Sequence, residues 1–479
     1  MAAYKTMQIW VKKGHRMHVY FQNMCQHGKN MHNTTNFYIR QVFTGLKQEK
    51  GLLPLQEEIL ETIRKHLPEM NDNQMIAYQR MVAKEKGKAE PRQKEIKCHL
   101  FEMPSNNNPY IYCRFLDALF KTMKQNDYQS LPIQSSQGIM KKVFQNWKSF
   151  YSSLREYKKN PTKFRACPKI PGYCRSKEKE ISFSNQDCVV KENKFLKFPK
   201  TKERLNIGKL GYSEGKLKQV RVVPKYGHYV VELIFQIHTE VERKESKKRF
   251  LSVDLGIDNL ATIVTNTGKR PVLLKGKNIK SVNQRYNQLK AYYTGIIRQG
   301  KNTNEGLFTS KRLEKISQKR FLQIKDLFHK ASFQIVKIAL EEDIDTIIIG
   351  QNKAWKQRSD MGKRNNQSFT TIPHSLLIQM ITYKAEKHGI TVVLTEESYT
   401  SKASFLDNDE IPVYSQHNKN DLFSGKRIKR GLYLSKSKEC INADVNGAAN
   451  IMKKVFKDAF KHSFSSIEAL RRPVSLIVK

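Results

Sequence analysis

Three short stretches of this 479-residue chain carry side chains able to do hydrolytic chemistry together. The first is Arg249-Phe-Leu-Ser-Val-Asp-Leu-Gly-Ile-Asp258. Phe250, Leu251 and Val253 suit a buried strand, Asp254 follows at its tip, and Gly256 lets the chain turn close by. A carboxylate so placed is a natural seat for a divalent cation, although an ordinary hairpin with a solvated Asp fits the same letters. The second stretch, Gly389 to Glu397, reads as a strand that ends in two carboxylates, Glu396 and Glu397. In the third, Ile441-Asn-Ala-Asp-Val-Asn-Gly-Ala-Ala-Asn-Ile451, Asp444 begins a helix. In a doubly wound sheet such positions converge at one edge. Three carboxylates meeting there can hold two Mg²⁺ ions about 3.5–4 Å apart, one activating water and one stabilising the leaving oxygen of a phosphodiester. A hard cation explains Asp and Glu rather than His or Cys. Three unrelated surface carboxylates are the alternative.

The elements that must position these residues follow from pattern. Asn259 to Gly268 reads as a second strand and its turn. Residues Ile279–Arg298 and Thr309–Glu342 read as long polar helices, Asp345–Gly350 as a buried parallel strand, and Ile372–Glu386 as a helix with Pro373 at its start. A last helix is expected over Asp444–Phe460, and Asn408–Lys438 as a long, basic, mostly irregular insertion. Alternating strands and helices predict an α/β sheet. Upstream, a short strand at Thr6–Lys12 precedes helices at Met17–Leu46, Glu57–Leu67, Ile111–Met123 and Gln137–Lys158. In the last of these, Phe144, Trp147, Phe150, Tyr151 and Leu154 recur at the spacing of a core face. Lys84–Lys97 is a basic linker or helix. Asn160–Tyr173, with its three prolines, is an extended turning segment. Short strands at Glu180–Phe183, Phe195–Phe198, Leu217–Pro224 and His228–His238 predict a small β-barrel or sheet, and Thr239–Lys248 a linker.

Lysine and arginine number 87 against 44 acidic residues, a formal net charge of +43 spread along the whole chain. So much like charge repels itself unless a polyanion neutralises it. Nucleic acid is the first partner to consider, ahead of a generic basic surface or an anionic membrane, and its binding should be strongly salt-dependent. The apolar fraction of 39% suffices for real cores, and the length implies two to four domains. Seven cysteines, an odd number with none in a Cys-x-x-Cys pair and no signal peptide ahead of them, argue for a reducing cytosol. The location expected for the chain is cytoplasmic, bacterial and nucleoid-associated. No apolar run is long enough to span a membrane.

Read together, Val253-Asp-Leu-Gly-Ile-Asp-Asn-Leu-Ala-Thr262, Glu397-Ser-Tyr-Thr-Ser-Lys402 and Asn442 to Ile451 resemble the RuvC motifs of transposon-encoded TnpB proteins and of the similar compact type V CRISPR nucleases. Lys158–Tyr173 and Gly350-Gln-Asn-Lys-Ala-Trp-Lys356 look like that family too. The resemblance covers most of residues 130–455, and 48–128 match much less clearly. It implies a multidomain α/β protein with an RNase H-like RuvC domain, a β-barrel wedge domain and a helical recognition lobe. The implied layout is a first wedge strand at 1–15, the recognition lobe at 16–155, the wedge barrel at 156–245 and RuvC at 246–402. A degenerate zinc-ribbon-like, target-nucleic-acid-binding insertion follows at 403–439, and the end of RuvC with a tail at 440–479. The resemblance further implies a guide RNA, a double-stranded DNA target beside a short flanking motif, and two Mg²⁺ ions.

Candidate nucleic-acid contacts are Asn33, Thr34, Thr35, Asn36, Tyr38 and Arg40 for base edges, with a plain structural helix as the alternative. Lys163, Arg165 and Lys169 are candidates for the phosphate backbone, and Lys426, Arg427, Lys429 and Arg430 form a basic loop. Two departures stand out. The usual second acid of the family ends the strand that here finishes in Gly350; Glu396 or Glu397, at the tip of the neighbouring strand, can supply it from next door, with Glu397 slightly favoured. Ala403 and Ser404 stand where the zinc ribbon's first Cys belongs, with only Cys440 nearby, so a zinc site is not expected. The expectation is an RNA-guided DNA endonuclease using Asp254, Asp444 and one of the two glutamates as metal ligands. The missing acid at Gly350 keeps a non-cutting RNA-guided repressor as the alternative.

Overall fold

The computed structural model describes residues 2–48, 51–87, 95–208, 215–238, 246–351, 367, 370–412, 423–429, 431–460 and 468–478. The chain divides into two compact units, Met1–Thr239 and Glu240–Lys479. The basic stretch at 88–94, the motif at 352–356 and Arg430 fall outside the described residues.

In the first unit, β1 (Ala2–Val11) leads into α1 (His18–Lys47) and α2 (Pro54–Lys86). Helices α3 (Cys113–Thr122), α4 (Asn126–Ser130) and α5 (Ile133–Lys159) follow. Then come β2 (Ile181–Ser184), β3 (Val189–Lys191), β4 (Phe195–Lys197), β5 (Arg204–Asn206), β6 (Gly215–Lys225) and β7 (His228–His238). The strands expected as a barrel or sheet form two open sheets among the described residues, ordered β1-β7-β6-β2 and β3-β4-β5. β6 and β7 join through Tyr226-Gly227, both at positive φ, which matches the twist of a tight antiparallel hairpin. One apolar cluster spans α1, α2, α3, α5 and the sheet, and Trp147 and Phe150 of α5 lie inside it.

The second unit is built on a six-stranded sheet. Its strands are β8 (Phe250–Asp254), β9 (Asn259–Thr265), β10 (Val272–Lys275), β11 (Thr346–Gly350), β12 (Thr391–Thr395) and β16 (Val474–Ile477). They lie in the order β12-β11-β8-β9-β10-β16. β8, β9 and β10 run as an antiparallel meander, whereas β11 pairs parallel to both β8 and β12. Helices α6 (Lys277–Arg298) and α7 (Lys311–Glu341) cross from the meander to β11, and α8 (His374–Glu386) crosses to β12. Ile347, Ile348 and Ile349 are fully buried, as an unbroken apolar run flanked on both sides requires. The expected irregular insertion contains β13 (Lys426–Lys429) and β14 (Leu432–Leu434), which form a small sheet with β15 (Cys440–Asn442), the strand just beyond it that leads into α9 (Ala443–Val455).

The sheet is covered on both faces. Leu251, Val253, Ile347 and Ile349 share a core with α7 and α8. Phe250, Val264 and Ile348 share one with Val445, Ala448, Ala449, Ile451 and Met452 of α9. Alternation along the strands therefore sends Phe250, Ser252 and Asp254 toward α9. Ser252 confirms this parity, its buried hydroxyl donating to the Ala448 carbonyl at 2.7 Å.

A candidate carboxylate site at the sheet edge

Val253 pairs with Ile349 and Gly350 with Thr395, so Asp254, Gly350 and Thr395 stand abreast at the carboxyl ends of β8, β11 and β12. Asp254 and Gly350 both face α9. The helix can approach because it is lined with small residues: a Cβ added at Gly447 would lie 3.0 Å from Asp254 Oδ2. Asp444 enters from the first turn of α9, whose cap is Asn442, accepting from the amides of Asp444 (3.0 Å) and Val445 (3.2 Å). Asn259, at the start of β9, donates to Asp444 Oδ2 at 2.6 Å, and Lys275 donates to Asn259 at 3.0 Å. Arg427 reaches Asp444 Oδ1 at 3.7 Å.

Gly350 explains which glutamate faces the site. A Cβ there would sit 2.8 Å from Glu397 Oε2, 3.3 Å from Glu397 Cβ and 2.7 Å from Ile451 Cδ1. Glu397 thus occupies the room that a side chain on β11 would need. Glu396 is engaged elsewhere: it accepts from Lys454 at 2.5 Å and from the Ser398 amide at 3.0 Å. Of the two glutamates left open by the sequence, the geometry puts Glu397 against Asp254 and Glu396 in an ion pair.

Asp254, Glu397 and Asp444 are half-buried. Burial pushes the Asp254 carboxyl up to about 7, helped by the Asp444 charge and partly countered by Arg427. Burial, then the charges of Asp254 and Glu396, push Glu397 up to about 8, with Lys454 opposing. For Glu396, burial works against ionisation, but Lys454 and the Ser398 bonds outweigh it and hold the carboxyl below its usual range. Asp254 and Glu397 are thus crowded by like charge, which an added cation would relieve. Among the described residues no group of three or more His, Cys, Asp or Glu side chains is drawn closely enough together to hold a metal ion as it stands. The donor chemistry nonetheless suits a hard divalent cation, since all three side chains offer carboxylate oxygens.

The remaining expected residues divide. Thr35, Asn36 and Tyr38 are buried, and the donors of the α1 run are spent within the unit. Asn33 donates to the Cys174 carbonyl (3.2 Å) and accepts from its amide (2.8 Å). Asn36 donates to the Pro171 and Gly172 carbonyls, 3.1 Å each, and accepts from the Trp147 indole at 2.8 Å. Thr34 donates to Asp127 (2.6 Å) and Arg40 to the Pro171 carbonyl (2.8 Å), with its guanidinium 5.2 Å from the Tyr173 ring centre. The Tyr38 hydroxyl reaches Met123 Sδ at 3.8 Å. The run expected to read base edges is the dock for residues 171–174, because its polar groups match that backbone. Lys163, Arg165 and Lys169 are exposed, and Lys163 pairs with Glu156 at 2.9 Å. Lys426, Arg427 and Lys429 are exposed on β13. All seven thiols are free. Where a zinc ribbon was weighed, Asp409 accepts from the amides of Ser404 (2.7 Å) and Ser424 (3.0 Å), and Asp407 from the Ser404 hydroxyl (2.6 Å) and the Lys436 amide (2.7 Å). No helix among the described residues is long and apolar enough to cross a membrane.

Sequence reading missed the polar stripe of α9. Asn446, Asn450 and Lys454 follow one another at intervals of four, on one face of the helix. That spacing was the available signal. Asn446 donates to the Ala403 carbonyl (2.8 Å) and accepts from the Phe405 amide (2.9 Å). Asn450 donates to the carbonyls of Thr400 (2.9 Å) and Ala403 (2.8 Å).

A model of the probable transposase family OrfB_IS605 matches residues 228–356, and one of the Cas12f1-like TNB domain matches 374–451. The TnpB-like protein ORF457 of Acidianus two-tailed virus is 24% identical over 381 residues, 72% of this chain and 76% of that protein. The CRISPR-associated endodeoxyribonuclease Cas12f1 of Sulfoacidibacillus thermotolerans is 28% identical over 213 residues, 42% of this chain and 45% of that protein. Among solved structures, a Cas12f1–sgRNA–target DNA complex superposes with a TM-score of 0.43 at 12% identity, covering 94% of this chain and 98% of that one. The chain is thus similar, over these regions, to TnpB-like and Cas12f1 proteins.

Proposed function

We propose that the chain is an RNA-guided DNA endonuclease whose cutting site is the carboxylate edge of the second unit. The observation that carries this reading is the exchange at Gly350. The side chain missing from β11 leaves a space, and the carboxylate of Glu397 fills it, beside Asp254. The meander-then-parallel order of the sheet suits the RNase H-like RuvC fold that the sequence resemblance implies. The relatives are a TnpB-like protein and a CRISPR-associated endodeoxyribonuclease, and the +43 charge suits a chain that wraps RNA and DNA phosphates. In such effectors base pairing reads the target, and the protein reads a short flanking motif and duplex shape.

Asp254, Glu397 and Asp444 would hold two Mg²⁺ ions. When bound, these supply an activated water and relief of charge on the phosphate oxygens. The chain's own residues set the stage. Asp254, on the central strand, is the neighbour common to the other two acids. Asn259 fixes the rotamer of Asp444 by donating to one of its oxygens. The close seat of α9 keeps Asp254 from collapsing onto solvent. Lys163, Arg165 and Lys169, exposed on an extended segment, suit a phosphate backbone, as do Lys426, Arg427 and Lys429 on β13.

The test is the protein purified with its own locus RNA, offered matched target DNA and Mg²⁺. Asp254→Ala, Asp444→Ala and Glu397→Gln should each stop cleavage while guided binding of target persists. Wild-type protein that binds target yet never cuts it would leave the guided-repressor reading in its place.

A further inference from the structure

Two adjacent glutamates follow β12, and only one can face the sheet edge. They lie between the end of β12 at Thr395 and a turn that begins at Ser398, so anchoring one restricts where its neighbour can go. The anchor is visible. Lys454, with only 10% of its side chain exposed, donates to Glu396 Oε2 (2.5 Å), the Ser398 carbonyl (3.1 Å) and the Pro412 carbonyl (3.4 Å). Those three acceptors match the three N–H donors of its ammonium. Ser398 closes the loop by donating its amide to the other oxygen of Glu396 at 3.0 Å. Both residues flanking Glu397 are thereby tied to α9, the helix that also carries Asp444 and packs Gly447 on Asp254.

We infer that the Lys454–Glu396 ion pair is a positioning device for Glu397: it turns Glu396 away and holds Glu397 in the space over Gly350, beside Asp254, so that only a small further approach of the carboxylates is left for a cation to draw. This rests on the reading of Glu397 as a ligand of that edge. Neither Lys454 nor Glu396 touches the reacting atoms. Their loss should therefore weaken cation binding rather than remove a chemical group.

The experiment uses the full chain bound to its RNA, with two readouts. One is the Mg²⁺ concentration for half-maximal target cleavage. The other is the rise in melting temperature on adding Mn²⁺, with Asp254→Asn as the blank for ions bound by RNA. Glu396→Gln and Lys454→Met should each raise the half-maximal Mg²⁺ concentration about 10-fold or more and shrink the Mn²⁺ shift, with target binding unchanged. The exchange Glu396→Lys with Lys454→Glu remakes the pair and should recover most of both. If Lys454→Met melts too low to assay, Glu396→Gln decides, since it removes charge at constant volume. Unaltered cation dependence in Glu396→Gln, with Glu397→Gln inactive, overturns the positioning role and leaves the nuclease reading standing. A Glu397→Gln protein that cuts normally overturns that reading and this inference with it.

Discussion

The first unit's α1 and the second unit's sheet edge both bury polar side chains, and they do so in opposite ways. Around α1 every group meets its complement: Asn36 bonds an indole and two carbonyls, and Asn33 makes a two-way bond with one peptide. At the sheet edge, Asp254 and Glu397 meet burial and like charge, and both are held far less acidic than an ordinary carboxyl. A satisfied polar cluster fixes a structure. A frustrated one costs stability, and persists where it serves a ligand or a reaction. The contrast separates what the same polar letters do in the two places.

Mutation can break this contrast, and the largest effect belongs to the frustrated edge. Asp254→Ala or Asp444→Ala should lower target cleavage by ~10³-fold or more, while raising or leaving unchanged the melting temperature of the cation-free protein. A large loss of stability on either change would show the carboxylates to be structural.

Next comes the exchange itself. Gly350→Ala should clash with Glu397 and cut activity sharply, because the added methyl would lie 2.8 Å from Oε2. Gly350→Glu with Glu397→Ala moves the acid back to β11 and should recover measurable cleavage, whereas Glu397→Ala alone should not. Equal inactivity of the single and the double variant would show that the two positions are not interchangeable.

The satisfied cluster should answer in stability alone. Trp147→Ala removes a fully buried ring and should cost ~3–5 kcal/mol. Asn36→Ala orphans the indole N–H and two carbonyls and should cost ~1–3 kcal/mol. Denaturant melts measure both. A shift in flanking-motif preference by Asn36→Ala at unchanged stability would restore a base-reading role to α1.

The smallest effect is in pH. A carboxyl raised in the fold favours its protonated form, so its contribution to stability is present below about pH 4 and is lost as pH climbs toward about 7 for Asp254 and about 8 for Glu397. Without divalent cation, the stability gap between Asp254→Asn and wild type should therefore widen in the variant's favour from pH 5 to pH 8. The stabilisation given by Mn²⁺ should grow over the same window, since the cation binds only the ionised form. Thermal melts across that range check both, and a gap that narrows with pH contradicts the crowded edge.

Much of this was legible in the sequence where periodicity is strong. Helices α1, α5, α6 and α7, and strands β8 and β11, fall close to the ranges that their apolar spacing predicts. Helix α2 ran well past its expected end, because charged residues at helical spacing extend a helix without leaving an apolar stripe. Strands β13 and β14 were hidden for a related reason: β13, Lys426 to Lys429, is exposed throughout and has no buried face to write an alternation. Of the site, Asp254 and Asp444 were readable from where they stand on strand tip and helix start. The choice between Glu396 and Glu397 was not, since it depends on Lys454, 58 residues downstream of Glu396. The two readings of α1, base reader or structural helix, were not separable, because Asn, Thr, Tyr and Arg serve a base edge and a peptide backbone with the same donors.

The steric relation between Gly350 and Glu397 also makes the two positions mutually exclusive seats for an acid. A chain with glutamate on both strands would press two carboxylates into a single volume, overfilling it and doubling the charge that already strains the edge. Gly350→Glu with Glu397 retained should therefore be less stable than either arrangement with a single acid, so the edge admits one tenant and excludes the other.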